Sequence, residues 1–439
     1  MAKAKNEKRY IVTYMDADTT QQEAASILGI SDIQDGVSIM ATDKTVTSAD
    51  VFHFEGLGAS SLTLTAAEVE KLKNDEKVLA VEEDIEMHIL EENINWDVAL
   101  TETNDQFQEG YKKGIADLFA KFTATAKELY EQQSSSAIPP IVPIQPPLVP
   151  PIVIPPQPIP WNINMVKAPR AWSRGIRGEG IKVAVLDTGI ASHPDLVISG
   201  GVSFVPGVVS FNDGNSHGTH CAGIIAARNN FFGVVGVAPR ASLYAVKVLS
   251  DGGSGSTSWI LAGMAWARQN GMHVVSMSLG SSSCQSVAYT NAIATLNNAG
   301  ITVVCASGNA FGTGFPCVGS PANSPGAIAV GAVAQNGVIA PFSSRGVGCC
   351  PPGANPVTLV APGVSINSTV LGNGYGIKSG TSMACPHVAG AAVLVKQRFP
   401  FFTPAQIRLK LMATASDLGA PGNDPTYGMG LVNCDLATL

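Results

Sequence analysis

A chain of 439 residues, 45% hydrophobic and 14% charged, is long enough for more than one buried core. No stretch reaches the roughly 18 uninterrupted apolar residues of a membrane span, so no membrane partner is expected. The net charge of −7, with no Lys/Arg runs in the more basic half, speaks against nucleic acid. That charge is unevenly spread: residues 1–156 hold 12 Lys/Arg and 26 Asp/Glu (−14), and residues 157–439 hold 15 and 8 (+7). Opposite signs predict that the two parts attract. The opening "MAKAKNEKRY" has charges but no apolar segment behind them, so no signal peptide is visible. A removed leader and an intracellular protein both remain open.

Residues 1–90 read as a small α+β unit. "RYIVTYM" alternates like a strand, and "TTQQEAASILGI" has a Thr cap and a helical period. "VSIMAT" and "SSLTLT" read as strands. In "TAAEVEKLKND", Thr65 and Glu68 form a capping box at a helix start. "VLAVEEDIEMHIL" closes the unit as one strand, and the order β-α-β-β-α-β predicts a ferredoxin-like sandwich.

Residues 91–138 change character. Phe107, Tyr111, Ile115, Leu118, Phe119, Phe122, Leu129 and Tyr130 share a helical face, which predicts a docked helix or a partner-binding one. The 11 prolines of residues 139–160 predict a polyproline II spacer over 139–156, on the order of 65 Å long if the whole run is extended.

Residues 157–439 alternate apolar strands with helices. "IKVAVLD", "SLYAVKVL", "VVSMSL", "ITVVCASG" and "AIAVGAV" are continuous apolar runs, the mark of strands buried on both faces. They predict an α/β domain, a parallel sheet flanked by helices, with its site at the C-terminal ends of the strands. All 8 cysteines fall in this part. Cys221, Cys305 and Cys385 read as buried thiols, and Cys284 and Cys317 as a possible pair. The adjacent Cys349 and Cys350 are poorly placed to pair with each other.

Asp187 ends a strand, His217 opens a helix, and Ser382 opens the last long helix in "GTSMACPHVAG". An acid, a base and a hydroxyl at the mouths of separate elements is what acyl transfer through a serine requires. Asn309, in "CASGN", is placed to donate an amide N–H to an oxyanion, with the Ser382 N–H as second donor. Ser382 alone reads equally well as a helix cap. His220 and His387 read as packed structural histidines and His193 as a surface residue. His217 and His220 lack the third ligand of a metal site.

The segments "VAVLDTGI", "SHGTHCAG", "SMSLG", "ASGN" and "GTSMACPHVAG", in this order, resemble the subtilisin (subtilase) family of serine endopeptidases. The resemblance covers residue 157 to about 431 and implies a subtilisin-like domain over 157–439. It implies a triad of Asp187, His217 and Ser382, with Asn309 in the oxyanion hole. It implies a substrate strand between residues 252–255, including Gly253, Ser254 and Gly255, and Ser278, Leu279 and Gly280. The pocket for the residue before the cut (P1) would be walled by 278–280 and 306–308, with Gly308, and have Gly319 near its base. No charge falls there, so large apolar P1 residues are expected. Structural Ca²⁺ would be held by Gln157, Asp195 and Asn230 and by the carbonyls of Arg228, Phe232 and Val234, although Phe231 and Phe232 are bulkier than is usual in such a loop.

Residues 1–90 resemble a subtilase propeptide, an intramolecular inhibitor cut between Leu90 and Glu91, with Met87 at P4. The implied protein is a secreted, monomeric, self-processing zymogen acting on proteins and peptides. A single-turnover self-cleaving protein, and a binding module built on residues 91–160, are the rival expectations.

Overall fold

The computed structural model describes residues 7–42, 47, 49–92, 157–346 and 356–439. The described residues 7–92 and 157–439 belong to one compact unit. The helical face expected over 91–138, the proline spacer, Cys349 and Cys350 lie outside the described residues, apart from Glu91 and Glu92.

In the N-terminal part, strand β1 (Lys8–Tyr14) leads to helix Gln21–Leu28, short β2 (Gln34–Asp35), helix Gly36–Met40, β3 (Phe52–Phe54), β4 (Ala59–Leu64), helix Ala66–Lys73 and β5 (Val78–Glu83). The sheet order is β2-β3-β4-β1-β5. Thr20 with Glu23, and Thr65 with Glu68, form capping boxes at their helices. "VSIMAT", expected as a strand, is helical at Gly36–Met40. Asp35 explains the difference, because its carboxylate accepts from the backbone N–H groups of Val37 and Ser38 and starts a turn. The edge of the sheet is supplied instead by the short β2, which pairs with β3.

The segment expected as one closing strand is two. β5 ends at Glu83, and β6 (Glu86–Ile89) leaves for another sheet. The break is fixed at Asp84, whose N–H donates to Arg9 O while its carboxylate accepts from Ser258 N. Chemistry outside the segment thus overrides its apolar continuity.

The larger part holds β7 (Lys182–Asp187), β8 (Ile198–Ser203), β9 (Ser242–Lys247), β10 (Ser254–Ser256), β11 (Val274–Met277), β12 (Leu279–Gly280), β13 (Thr302–Ala306), β14 (Ile328–Val333), β15 (Leu359–Pro362), β16 (Ile366–Val370) and β17 (Gly374–Lys378). Seven of these make a parallel sheet in the order β15-β14-β13-β11-β7-β9-β8. Every residue of β11, β13 and β14 is buried, as the continuous apolar runs require. The chain leaves β7 toward β9 and β8 and returns across it to β11, so the order reverses between β7 and β11. A reversal of that kind opens a crevice at the strands' C-terminal ends.

Two helices enter that crevice. The histidine helix (His217–Ala226) is buried throughout, and the serine helix (Thr381–Arg398) is buried from Thr381 to Val395. Small residues permit this. A Cβ on Gly390 would lie 2.6 Å from Val237 Cβ, and one on Gly218 would collide with Gly189 O.

Candidate active site

Asp187 closes β7 beside the reversal point, and His217 begins its helix. His217 Nδ1 lies 2.7 Å from Asp187 Oδ1, with both side chains fully buried. Asp187 Oδ1 also accepts from Thr188 N at 2.7 Å. This fixes the imidazole ring and directs Nε2 away from the carboxylate. Nε2 is buried and has no hydrogen-bond partner.

Ser382 is the second residue of its helix, and no side chain caps that helix. Its hydroxyl donates to Ser278 O at 2.9 Å and accepts from Leu90 N at 3.0 Å. It does not bond His217 Nε2 in this arrangement. The Leu90 carbonyl accepts from Ser382 N at 3.2 Å. A Cβ on Gly380 (φ 151°) would collide with that carbonyl oxygen and lie 3.1 Å from Glu91 Cα. The Leu90–Glu91 peptide therefore lies against the helix N-terminus, and only glycine leaves room for it.

Asn309 Oδ1 accepts from Thr381 N at 3.0 Å and from Thr381 Oγ1 at 2.8 Å. These two donors hold Oδ1 on their side, so Nδ2 is turned away from them; it is buried and without a partner. Thr381, which the sequence marks only as a small neighbour of the serine, is thus what orients the amide. The Cys221 thiol lies within 4.8 Å of the Asp187 and His217 donor atoms, and burial raises its pKa well above the ordinary thiol value. It is held as a neutral thiol behind the histidine.

β6 lies between β10 and β12 as the middle strand of a three-stranded antiparallel sheet. The register pairs Met87 with Gly255, His88 with Ser254 and Gly280, and Ile89 with Leu279. Ile89 N donates to Gly253 O at 3.0 Å. Met87 is fully buried. Leu90 lines a pocket with Gly280, Ala306, Gly308, Phe315 and Gly319 among its walls and no charged side chain. A Cβ on Gly280 would lie 3.1 Å from Leu90 Cδ1, and one on Gly319 would collide with Ser281 O. Ser278, expected as a pocket wall, is occupied with Ser382: its Oγ donates to Ser382 O at 2.9 Å.

The N-terminal part is anchored beside this cleft through two carboxylates that sequence reading misses. Glu82 accepts from Val287 N, Ala288 N and Ser286 Oγ at the start of helix Val287–Asn298. Asp84 does the same for helix Thr257–Gln269 through Ser258 N. Anions at helix N-termini satisfy free N–H groups and the positive end of the dipole. Burial nevertheless outweighs these bonds at Asp84 and raises its carboxyl pKa. Only the partner helices reveal this role, because the acidic run "EEDIE" looks like a solvated face.

Five of the six residues expected around calcium, all but Phe232, are linked to one another. Gln157 Oε1 accepts from Asn230 N and Phe231 N, and its Nε2 donates to Val234 O at 2.8 Å and Arg228 O at 3.3 Å. Asp195 accepts from Asn230 Nδ2 and Val234 N, both at 2.9 Å, and from Tyr375 OH. Asn230 Oδ1 is buried without a partner. Burial raises the Asp195 pKa despite three donors. Phe231 turns the loop at φ 76°, and the next residue, Phe232, is 46% exposed.

Two sequence expectations fail here. His193 is buried, not on the surface: Nε2 donates to Gly374 O and Nδ1 accepts from Asp195 N, so it braces this loop. Cys284 and Cys317 do not pair. Cys317 is disulfide-bonded, and Cys284 is an exposed thiol outside any disulfide. His220 and His387 are buried and hydrogen-bonded to backbone carbonyls, and burial lowers their pKa values to about 3 and about 4.

A family model described as the subtilase family matches residues 178–430. Subtilisin Savinase of Lederbergia lenta is 52% identical over 282 residues, 64% of this chain and 99% of that protein. An alkaline protease of Alkalihalobacillus alcalophilus is 52% identical over the same length, covering 70% of it. Subtilisin amylosacchariticus of Bacillus subtilis subsp. amylosacchariticus is 49% identical over 284 residues, covering 71% of it.

Proposed function

Since the chain belongs to the subtilase family and is a subtilisin-like serine endopeptidase, we propose that it is a self-processing zymogen whose first substrate is its own Leu90–Glu91 bond. The observation that carries this reading is the Leu90 carbonyl resting on Ser382 N–H at the end of a strand bound in the cleft. In this reading residues 1–90 are the propeptide, 91–138 and 139–156 a linker and spacer, and 157–439 the catalytic domain.

The chemistry follows from the geometry. The Ser382 hydroxyl turns from Ser278 O toward His217 Nε2, which takes its proton as Oγ attacks the Leu90 carbonyl carbon. Asp187 holds His217 in the correct tautomer and stabilises the imidazolium. Negative charge on the Leu90 oxygen is met by Ser382 N–H and Asn309 Nδ2, both already oriented. His217 then protonates the departing Glu91 nitrogen, leaving Leu90 esterified to Ser382, and water completes the hydrolysis. Because β6 stays paired on both edges, the cut strand remains as a product inhibitor. Its uncharged P1 cavity supports a preference for large apolar residues, since a buried carboxylate would find no partner there.

The Gln157 to Val234 cluster supports a structural Ca²⁺ site. It offers oxygen donors, an orphaned Asn230 Oδ1 and a carboxylate whose burial a cation would relieve. Bound there, the ion would clamp the loop after the histidine helix to the segment that begins at Gln157. Excess chelator should lower the melting temperature, and Asn230→Ala should remove most of that sensitivity. The disulfide at Cys317 supports secretion into an oxidising compartment. Among the described residues no helix is long and apolar enough to cross a membrane.

The deciding experiment compares N-termini of purified wild type and Ser382→Ala. The wild type should yield a new N-terminus at Glu91, and the alanine variant should stay uncut. Self-cleavage of the variant at the wild-type rate, or a first cut elsewhere in the wild type that Leu90→Asp does not slow, defeats the proposal.

A further inference from the structure

The chemistry above uses the backbone of β6 and the Leu90 side chain. It leaves unused an ion pair on the leaving-group side. Lys378, the last residue of β17, places Nζ 3.0 and 2.8 Å from the two carboxylate oxygens of Glu91. The two side chains are only 15% and 14% exposed. The backbone is fixed on both sides of the pair. Leu90 O is held by Ser382 N, and Glu92 N donates to Ser379 O at 2.8 Å. Glu91 is therefore presented to Lys378 by its position in the chain, and among the described residues it is the one ion-pair partner of this lysine.

We infer that Lys378 is a specificity-determining residue of the leaving-group pocket (S1′), and that the enzyme selects peptides with an acidic side chain, glutamate above all, directly after the cut bond. This rests on the reading of Leu90–Glu91 as the bond presented for cleavage. A shielded ammonium gains little from a neutral neighbour, and a Lys or Arg side chain there would set like charges together. A carboxylate of glutamate length meets it with two charge-assisted hydrogen bonds. The substrate class is thus a large apolar residue followed by an acidic one, and the chain's own Leu90–Glu91 sequence has that form.

The test uses processed wild-type enzyme with titrated active sites and quenched peptides carrying Leu before the cut and Glu, Gln, Ala or Lys after it. Glu should exceed Gln by about tenfold in kcat/KM, as expected for hydrogen bonds to a partly shielded charge, with Lys the poorest. Lys378→Leu should bring the Glu/Gln ratio close to one, and Lys378→Glu should favour the Lys peptide. Should the reversed variant fail to fold, rising salt should still shrink the wild-type Glu/Gln ratio. Equal wild-type rates for Glu and Gln, or a Glu/Gln ratio unchanged in Lys378→Leu, overturn the inference. A first N-terminus other than Glu91 counts against the self-cleavage reading alone, because added peptides report the pocket wherever the chain cuts itself.

Discussion

The two parts of the molecule bury their apolar residues differently. The larger part closes a parallel sheet between helices and needs nothing else to cover β11, β13 and β14. The N-terminal sheet covers only one face by itself. Val12, Tyr14, Ala24, Leu62, Leu64, Val69 and Leu72 form a core with its own helices. Ile11, Val37, Met40, Phe52, Phe54, Leu57, Ala59 and Met87 instead belong to a cluster continuous with Leu249, Ile260, Met264 and Tyr289 of the catalytic domain. A strand alternates its side chains between faces, so Ile11 and Val12 serve different cores. The N-terminal part completes its second core only against the larger part, which agrees with the inhibitor role proposed for it.

The sharpest way to break this comparison is to separate the parts. Eight shared side chains, at about 1.5 kcal/mol or more for each large one, amount to on the order of 10 kcal/mol, comparable with the whole stability of a small domain. Residues 1–90 alone should therefore show weak, non-cooperative urea unfolding by circular dichroism. Addition of the Ser382→Ala catalytic domain should restore a cooperative transition. A sharp transition for the isolated fragment would mean that its own core suffices.

Next in size is the oxyanion donor, which tests whether the larger part carries the chemistry unaided. Asn309→Leu should lower kcat on an added peptide by about 10²–10³, the magnitude known for subtilisins, with KM little changed. A loss below tenfold would remove Asn309 from the site.

The polar anchors should matter less. Glu82→Gln with Asp84→Asn removes two anions from helix N-termini, each worth about 1 kcal/mol. The added fragment should inhibit the processed enzyme roughly tenfold to thirtyfold more weakly. Raising NaCl should weaken it further, because residues 1–90 carry 8 Lys/Arg against 17 Asp/Glu and face a domain of +7. If salt has no effect, the charge asymmetry plays no part in the complex.

The smallest effect expected is that of pH on the N-terminal part. His53 is buried, with Nε2 on Thr19 O at 2.8 Å and Nδ1 at 3.0 Å from Ser60 Oγ, which also accepts from Tyr14 OH. Burial lowers its pKa. The unfolded chain, with a His pKa of about 6.5, then binds the extra proton, so stability is complete above that pH and falls as pH drops below it. Urea midpoints of full-length Ser382→Ala should decline from pH 7.5 to 5.5, and less so in a His53→Phe background. A midpoint independent of pH would show that His53 is not linked to folding.

The sequence by itself determined five of the seven strands of the parallel sheet, the helix caps at Thr20 and Thr65, and the positions of Asp187, His217, Asn309 and Ser382 at element ends. Those features are local. Apolar runs, capping residues and small-residue motifs act over a few positions, so a linear reading captures them. Tertiary structure alone decided where "VLAVEEDIEMHIL" breaks, that His193 is buried under the calcium-type loop, and that Cys317 does not pair with Cys284, whereas the helix in place of the "VSIMAT" strand follows from the local cap at Asp35. It also decided which partners Glu82, Asp84, Thr381 and Lys378 meet. Each of these polar groups satisfies a donor or acceptor far away in the chain: Asp84 and Ser258 are 174 residues apart, and Glu91 and Lys378 are 287. Periodicity carries no information about such pairs, because only the folded sheet brings their helix ends and strand edges together.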